Sequence, residues 1–459
     1  MGHHRRPGAL LIALAVPLAT HAAAPTPFAP PKTERVLYRR ATLIDGRGGP
    51  PRPAMDVLVA GERIVQVLPD SEVDQQTLAT AKVVDLKGRF LLPGLIDAHV
   101  HLATPPNRRQ AEAVLRRDLY GGVTAVRDMA DDLRSVAELA RESLVGEIAA
   151  PDIAFAAVMA GPRFFTDPRI AQVSAGGEPG KVPWAQAVTD GTDLPLAVAW
   201  ARGTGATAIK LYADLTAQLA ARITAEAHRQ HMRVWAHATL YPAKPSEVVA
   251  AGVDAISHAC LLAREPEQHV PVFGQQPWPS PPLEVVRDGR DPALDALFAE
   301  MKRRGTVLDA TLWTYAVMAT APGTNAPLTT GKCDDGVGGA MAGQAARAGV
   351  VIAAGTDNVA PWNDAWPDLL HELARLESKA GMSTASVLQS ATLGSARATG
   401  WEDTMGSIEA GKLANLLVLA KDPLVDLVNL RSVVMTVKRG RVFPRTGFKP
   451  LRKGDITDS

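Results

Sequence analysis

Two histidines separated by a single residue, His99 and His101, end an apolar segment that begins at Leu92. On a β-strand the side chains alternate between two faces, so both imidazoles point to the same side and can converge on one ion. Imidazoles and carboxylates are the usual zinc ligands. Further metal-competent residues end short apolar segments downstream: Lys210, His237, His258 and Asp357. The sequence therefore predicts a metal centre built from these six residues.

Six ligands are enough for two divalent metal ions, with zinc the expected metal. We expect His99, His101 and Asp357 to hold one ion, and His237 and His258 to hold the second. A Lys210 ammonium would be repelled by two dications, whereas an amine carboxylated by CO2 becomes an anion that can bridge both. A plain lysine paired with a nearby aspartate is the alternative for this position.

The expected chemistry is hydrolysis by attack of a metal-bridging hydroxide. Metal ions polarise a scissile carbonyl and lower the pKa of water to near neutrality. Asp357 is the predicted proton shuttle, which takes the proton during attack and passes it to the leaving nitrogen. The sequence contains no nucleophile-elbow motif, and no serine or cysteine nucleophile is needed. Tyr212 and Tyr241 follow closely after strand-end ligands and are candidates for substrate binding, with packing as the alternative.

Short apolar segments alternate with helical segments along the middle of the chain, which predicts βα units and a parallel sheet. The predicted strands cover residues 95–101, 124–128, 153–157, 208–212, 234–237, 255–258, 307–309 and 351–356. Eight such units fit an α/β fold, the (β/α)8 or TIM barrel, whose active site lies at the carboxyl ends of the strands. The six predicted ligands fall at the ends of the first, fourth, fifth, sixth and eighth strands, and hence at one rim.

Both ends of the chain have β-type patterns, and we expect residues 34–90 and 401–445 to form one small β-sandwich domain beside a barrel at 91–400. Two long connections rich in glycine and proline, 161–195 and 265–292, follow the third and sixth strands. They are candidate lids or substrate walls over the rim. Poorly ordered insertion is the alternative for each.

Residues 1–24 have the pattern of a secretory signal peptide, with a basic start, an apolar stretch of about a dozen residues and small residues at Ala22 to Ala24. The predicted location is therefore secreted or periplasmic, with a short anchor or a tail as the alternatives. No later segment is long and apolar enough to span a membrane. The two cysteines, Cys260 and Cys333, fit no disulfide framework by spacing, so their pairing is open, and Cys260 is expected to be a small buried residue.

The formal net charge of +1 and the scattered aromatic residues, 5% of the chain, give no indication of nucleic-acid binding. The expected partner is a small-molecule amide or peptide substrate. A homo-oligomer is left open by the sequence.

Three motifs together resemble the metal-dependent amidohydrolase superfamily: residues 92–102, residues 122–128 and residues 407–416. The likeness extends from about Val36 to Val442 and implies a (β/α)8 barrel with a flanking β-sandwich. The Ile209–Lys210 pair, followed by Ala-His and Ser-His, resembles the branch of prolidase-like dipeptidases, which is similar to imidazolonepropionase. The resemblance implies metal ligation by His99, His101, Lys210, His237, His258 and Asp357, and proton transfer by Asp357.

The sequence thus predicts a secreted binuclear zinc hydrolase of amide bonds, with dipeptides or N-acyl amino acids as substrates. One alternative is the same centre acting on esters, lactones or carbamates. Another is a mononuclear enzyme acting on a cyclic amide. The presence of Lys210, which could bridge two metal ions, argues against it. A non-catalytic scaffold is the third alternative, but all six ligands are retained.

Overall fold

The computed structural model describes residues 34–274, 291–320, 333–357 and 364–450. The predicted signal peptide at 1–24 and most of the predicted connection at 265–292 lie outside these ranges. Within them, every helix is too short or too polar to cross a bilayer.

The strands, in chain order, are β1 (Arg35–Leu43), β2 (Arg52–Ala60), β3 (Arg63–Pro69), β4 (Lys82–Asp85), β5 (Phe90–Pro93), β6 (Leu95–Val100), β7 (Val123–Asp128), β8 (Asp152–Ala160), β9 (Lys181–Val182), β10 (Ala185–Ala187), β11 (Ala208–Leu211), β12 (Arg233–His237), β13 (Ala255–Ser257), β14 (Val307–Asp309), β15 (Ile352–Ala353), β16 (Leu416–Leu419), β17 (Val433–Lys438) and β18 (Arg441–Pro444).

The α-helices are α1 (Gln75–Thr80), α2 (Arg108–Tyr120), α3 (Leu133–Val145), α4 (Pro168–Val173), α5 (Leu194–Gly203), α6 (Ala217–Arg229), α7 (Pro245–Ala250), α8 (Pro292–Arg304), α9 (Leu312–Thr320), α10 (Asp335–Ala348), α11 (Leu369–Ser378), α12 (Thr384–Gln389) and α13 (Ser395–Thr399).

The two ends of the chain form one sheet, in the order β18-β17-β16-β5-β1-β2-β3, with β4 beside β1. Strand β16 from the C-terminal part pairs antiparallel with β5 from the N-terminal part. Apolar side chains from both parts share one core, including Tyr38, Val57, Leu416 and Val437. This confirms the predicted small β-structure built from both chain ends. Strand β1 is continuous over nine residues, although Arg40 inside it has a φ of 54°.

Eight parallel strands form the barrel: β6, β7, β8, β11, β12, β13, β14 and β15. The first and last strands are joined by backbone hydrogen bonds, from Ala98 N to Ala354 O at 2.9 Å and from Asp357 N to His99 O at 2.8 Å. The predicted (β/α)8 architecture is therefore confirmed. The eighth strand is shorter than predicted, because regular pairing covers only Ile352–Ala353.

The sequence of each unit explains why it folds this way. Every residue of β6 and of β11 is buried, as expected for parallel strands covered on both faces. Helix α6 buries Leu219, Ile223 and Ala227, which lie four residues apart on one face. Its first turn is capped by the Thr216 side chain, which accepts a hydrogen bond from Leu219 N at 3.2 Å. Each helix can thus pack on the sheet and return the chain to the next strand.

The predicted connection at 161–195 is an ordered element. It contains α4 and two short strands, of which β10 pairs in parallel with β8. Trp184 Nε1 donates a hydrogen bond to Val173 O at 2.9 Å and ties the second half of the segment to α4. The sequence did not predict these two strands, because strands of two and three residues are too short to show periodicity.

Cys260 and Cys333 form a disulfide bond, with Cα atoms 5.8 Å apart. The pairing that the sequence left open is thus settled, and Cys260 is fully buried, as expected. The two cysteines are 73 residues apart in sequence, but the barrel places the segment after β13 beside the start of α10. Spacing alone cannot predict a pair that only the tertiary fold brings together.

Candidate metal centre

A cavity of about 430 Å³ opens at the carboxyl ends of the barrel strands, and all six predicted ligands line it. Their positions follow from the strand ends: His99 is in β6, Lys210 is in β11, and His237 is the last residue of β12. His258 directly follows β13. The structure therefore brings together residues that lie far apart in the sequence.

His99, His101 and Asp357 form the tightest group. Asp357 Oδ1 lies 3.3 Å from Nε2 of His99 and 3.3 Å from Nε2 of His101. One donor atom from each of the three residues lies within 4.8 Å of the other two. These atoms are arranged as the ligands of a single ion would be, which is the convergence expected from a His-x-His pair on a strand.

The other ring nitrogen of each of these histidines faces a buried carboxylate. His99 Nδ1 lies 2.7 Å from Asp309 Oδ2, and His101 Nδ1 lies 2.9 Å from Asp131 Oδ1. Carboxylates in this position orient a metal-binding imidazole and leave its Nε2 free for the ion. Burial lowers the pKa of His101, but Asp131 and Asp357 outweigh that effect and raise the pKa to about 10.

His237 and His258 form a second group, with their Nε2 atoms 3.1 Å apart. Burial lowers the pKa of His258 to about 3 and holds the pKa of His237 well below its ordinary value. Both imidazoles are therefore neutral, which is the form that binds metals. His237 Nδ1 is buried and has no hydrogen-bond partner among the residues described. Two neutral imidazoles with an orphaned nitrogen fit a metal ion in their donor chemistry.

Lys210 lines the same cavity and is buried, with 1% of its surface exposed. Its Nζ is 3.5 Å from Ser257 Oγ, and in the described part of the chain no carboxylate lies within ion-pair distance. Burial, assisted by the nearby Arg127 guanidinium, lowers the pKa of Lys210 to about 7. A large share of the side chain is thus the neutral amine, which is the form that can react with CO2.

The sequence did not predict Asp309 as a site residue, although it links the proposed ligand His99 to buried residues behind it. Its Oδ2 accepts hydrogen bonds from Arg127 Nη2 at 3.0 Å and from Ser257 Oγ at 2.8 Å, beside its contact with His99. Asp309 is the last residue of β14 and so shows the same strand-end signal as the predicted ligands. That signal does not show which side chain a carboxylate contacts, so the pairing of Asp309 with His99 is visible only in the structure. Asp131, in the segment after β7, was likewise not predicted.

Two of the six residues have strained backbone conformations. His258 has a φ of 76° and Asp357 a φ of 46°, in the left-handed region that residues other than glycine rarely adopt. Strain of this kind is maintained by the surrounding structure and is concentrated at functional sites. Both side chains line the cavity.

The two predicted substrate contacts have different positions. Tyr212 lines the cavity, and its ring centroid is 3.9 Å from that of His237. Tyr241 is 0% exposed and packs in an apolar cluster that includes Phe164 and Val158. It is absent from the described lining of the cavity. The structure therefore places Tyr212 at the cavity, whereas Tyr241 is buried outside the described lining.

Replacing Asp309 by asparagine should lower the free energy of unfolding by about 3–5 kcal/mol, the usual cost of leaving a buried charge uncompensated. Arg127 and Asp309 are both 0% exposed, so water cannot replace the lost carboxylate. The measurement is denaturant unfolding of the metal-free protein. Asp190→Asn is the matched control, because Asp190 is 83% exposed in its pair with Arg222 and should change stability little. Equal losses in the two variants would contradict the role given to Asp309.

A family model for the amidohydrolase family matches residues 90–443. The chain belongs to this family and is a hydrolase that acts on carbon–nitrogen bonds. Members of the family generally use divalent metal ions, in agreement with the His99, His101 and Asp357 group.

Solved structures with the same fold include prolidase-like amidohydrolases. A Bifidobacterium longum protein assigned as a prolidase is 26% identical, with a TM-score of 0.69 over 93% of this chain and 98% of that one. A Xaa-Pro dipeptidase with bound methionine is 21% identical, with a TM-score of 0.67 over 90% of this chain and 100% of that one. The dihydroorotase of Mycobacterium tuberculosis (strain ATCC 25618 / H37Rv) is 40% identical over 80 residues, 17% of each protein. The match to that enzyme thus spans about a sixth of its length.

Proposed function

We propose that this protein is a secreted, binuclear metal-dependent amidohydrolase that cleaves the amide bond of dipeptides or N-acyl amino acids. The observation that carries the proposal is the convergence of six potential ligands at one end of a single cavity. The ligands we assign to one ion are His99, His101 and Asp357, and those of the second ion are His237 and His258. Lys210, carboxylated by CO2, would belong to both, and zinc is the expected metal.

Bound divalent ions would supply the polarisation of the scissile carbonyl and the acidification of water. The residues of the chain then have separate tasks. Asp309 and Asp131 hold the rings of His99 and His101 in place through their Nδ1 atoms. Metal binding must also displace a proton from His101, because its pKa of about 10 keeps it protonated at neutral pH.

Asp357 is the proposed proton carrier. Burial would raise the pKa of this carboxyl group, but His99, His101 and His258 outweigh burial and hold the pKa well below its ordinary value. The group is therefore ionised at neutral pH, as a group that accepts the proton of the attacking water must be. The carboxyl group then passes this proton to the nitrogen that leaves, so that a neutral amine departs.

The substrate class is supported by the cavity and by the names of structural neighbours. Apolar side chains dominate the lining, so the site suits small molecules with hydrophobic groups. Proteins of the same fold include a Xaa-Pro dipeptidase and a prolidase complexed with N-methylphosphonate-L-proline. Molinate hydrolase and phenylurea hydrolase B also have this fold, and for this reason carbamate-type substrates are the second candidate.

Secretion to an oxidising compartment is supported by the disulfide bond between Cys260 and Cys333, because such bonds persist outside the reducing cytosol. The signal pattern at residues 1–24 points the same way. N-terminal sequencing of the protein recovered from periplasm or medium tests this part. A start near Ala23 to Pro25 is expected, and a cytosolic product that retains Met1 would contradict it.

The test of activity is a hydrolysis screen with four substrate groups: dipeptides, N-acyl amino acids, carboxylic esters with lactones, and carbamates. We expect amide substrates to give the highest kcat/KM, activity to disappear after chelation, and added zinc to restore it. Cleavage of esters or carbamates alone would favour the second candidate. Full activity after complete removal of metal would refute the proposal.

A further inference from the structure

The cavity has a second charged feature, which does not belong to the six proposed ligands. Among the lining residues that the structure describes, Arg169 is the one charged side chain outside that group. Most of the remaining wall is neutral and apolar, with side chains such as Phe164, Ile170, Leu261 and Met318. The lining therefore combines the six proposed ligands, one further guanidinium and a largely apolar wall.

Arg169 is held in position by its own helix. It belongs to α4, whose N-cap residue Asp167 accepts hydrogen bonds from Arg169 Nε at 3.1 Å and from Arg169 Nη2 at 2.6 Å. These bonds fix the guanidinium but leave the Nη1 donors unused by Asp167. Asp167 is itself absent from the described lining, so the cavity is faced by the positive partner of this pair.

Tyr212 connects Arg169 to the proposed metal ligands. Its ring is 3.9 Å from the ring of His237, and its hydroxyl group faces the Arg169 guanidinium. Arg169 thus lies about one tyrosine side chain away from His237. In a dipeptide or N-acyl amino acid, the free carboxylate is separated from the scissile nitrogen by a single α-carbon. A group that binds this carboxylate must lie at this kind of short distance from the reacting carbonyl.

We propose that Arg169, with Tyr212 beside it, binds the free carboxylate of the substrate and makes the enzyme selective for amides with an anionic leaving half. This inference rests on the proposed amide hydrolysis and deepens it, because it names the residue that distinguishes acids from neutral amides. A planar guanidinium recognises a carboxylate with paired, charge-assisted hydrogen bonds. The Arg169 side chain is 53% exposed, so solvent screening moderates the gain.

The experiment compares N-benzoylglycine with its uncharged analogue N-benzoylglycinamide, using zinc-loaded wild type, Arg169→Met and Arg169→Lys. Wild type should have the higher kcat/KM with the acid. In Arg169→Met the ratio of the kcat/KM values, acid over amide, should fall roughly 10- to 100-fold, the range of one or two charge-assisted hydrogen bonds, and the change should lie mainly in KM. The ratio in Arg169→Lys should lie between those of wild type and Arg169→Met, because lysine keeps the positive charge but loses the planar set of paired N–H donors.

Arg163→Met is the matched control. Arg163 lies on the same segment and pairs with Asp214 at 2.8 Å, but it is 60% exposed and does not line the cavity. Its acid-to-amide ratio should equal that of wild type. A ratio in Arg169→Met that also equals that of wild type, with kcat/KM unchanged or reduced equally for both compounds, would overturn the assignment.

Calorimetric binding of the two compounds separates this inference from the proposed function. If wild type cleaves neither compound, the proposed function fails for this class of amide. Binding then decides the role of Arg169 alone. Tighter binding of the acid by wild type, lost in Arg169→Met, supports the carboxylate site, and equal binding of acid and amide by wild type refutes it.

Discussion

Replacing Lys210 by methionine should abolish measurable turnover and lower the metal content of the protein. Methionine retains the length and burial of the side chain but cannot be carboxylated, so the proposed bridge between the two ions is lost. Lys210 is 1% exposed and lies next to Ser257, so the methionine side chain would fill the space that an outside ligand would need. The measurements are kcat with an N-acyl amino acid and metal analysis of the purified variant.

Lys210→Ala provides a more specific test of the bridging role, because the smaller side chain leaves space in which a short carboxylic acid can bind. Added acetate or propionate should restore part of the activity and part of the metal binding. In wild type, isotope-labelled bicarbonate should introduce label as a carbamate on Lys210. An unmodified amine in fully active, metal-loaded enzyme would contradict the bridging role, and Lys181→Met, 70% exposed, controls for the loss of a lysine elsewhere.

Replacing Asp357 by asparagine should lower kcat by roughly a hundredfold or more, the usual scale for a general acid–base group. Asparagine keeps the size of the side chain and one coordinating oxygen, but it cannot accept the proton of the attacking water. Substrate binding should change much less, because the apolar wall is untouched. The measurement is kcat and KM together with metal content.

The expected pattern for Asp357→Asn is low kcat with nearly normal metal occupancy. Asp190→Asn, which changes an exposed carboxylate far from the cavity, should match wild type in kcat. Turnover within a few-fold of wild type in Asp357→Asn would show that another group carries the proton.

Much of the fold could be predicted from the sequence, because parallel strands have a strong local signal. Buried runs such as Ala208–Leu211 are apolar throughout, and amphipathic helices separate them. The barrel rule then places polar strand ends at one rim, which is why residues as distant as His99 and Asp357 could be expected together. The structure brings these residues into one cavity, and their roles as ligands stay predictions.

The features that could not be predicted depend on tertiary contacts without a local signature. The role of Asp309 depends on its carboxylate contacting both His99 and Arg127, which are distant from it in sequence. Nothing in the local sequence distinguishes Arg169 from a surface arginine, and the position of α4 is what brings it to the cavity. The disulfide partner of Cys260 and the burial of Tyr241 likewise follow from how the chain packs.

The central claim, that two metal ions act together in one site, is tested most directly by titrating metal-free protein with zinc while activity and bound metal are measured in the same samples. We expect activity to remain low at one ion per chain and to reach its maximum at two, because we assign the six residues to two ligand groups that a carboxylated Lys210 would join. Full activity with a single ion bound per chain would contradict the binuclear centre.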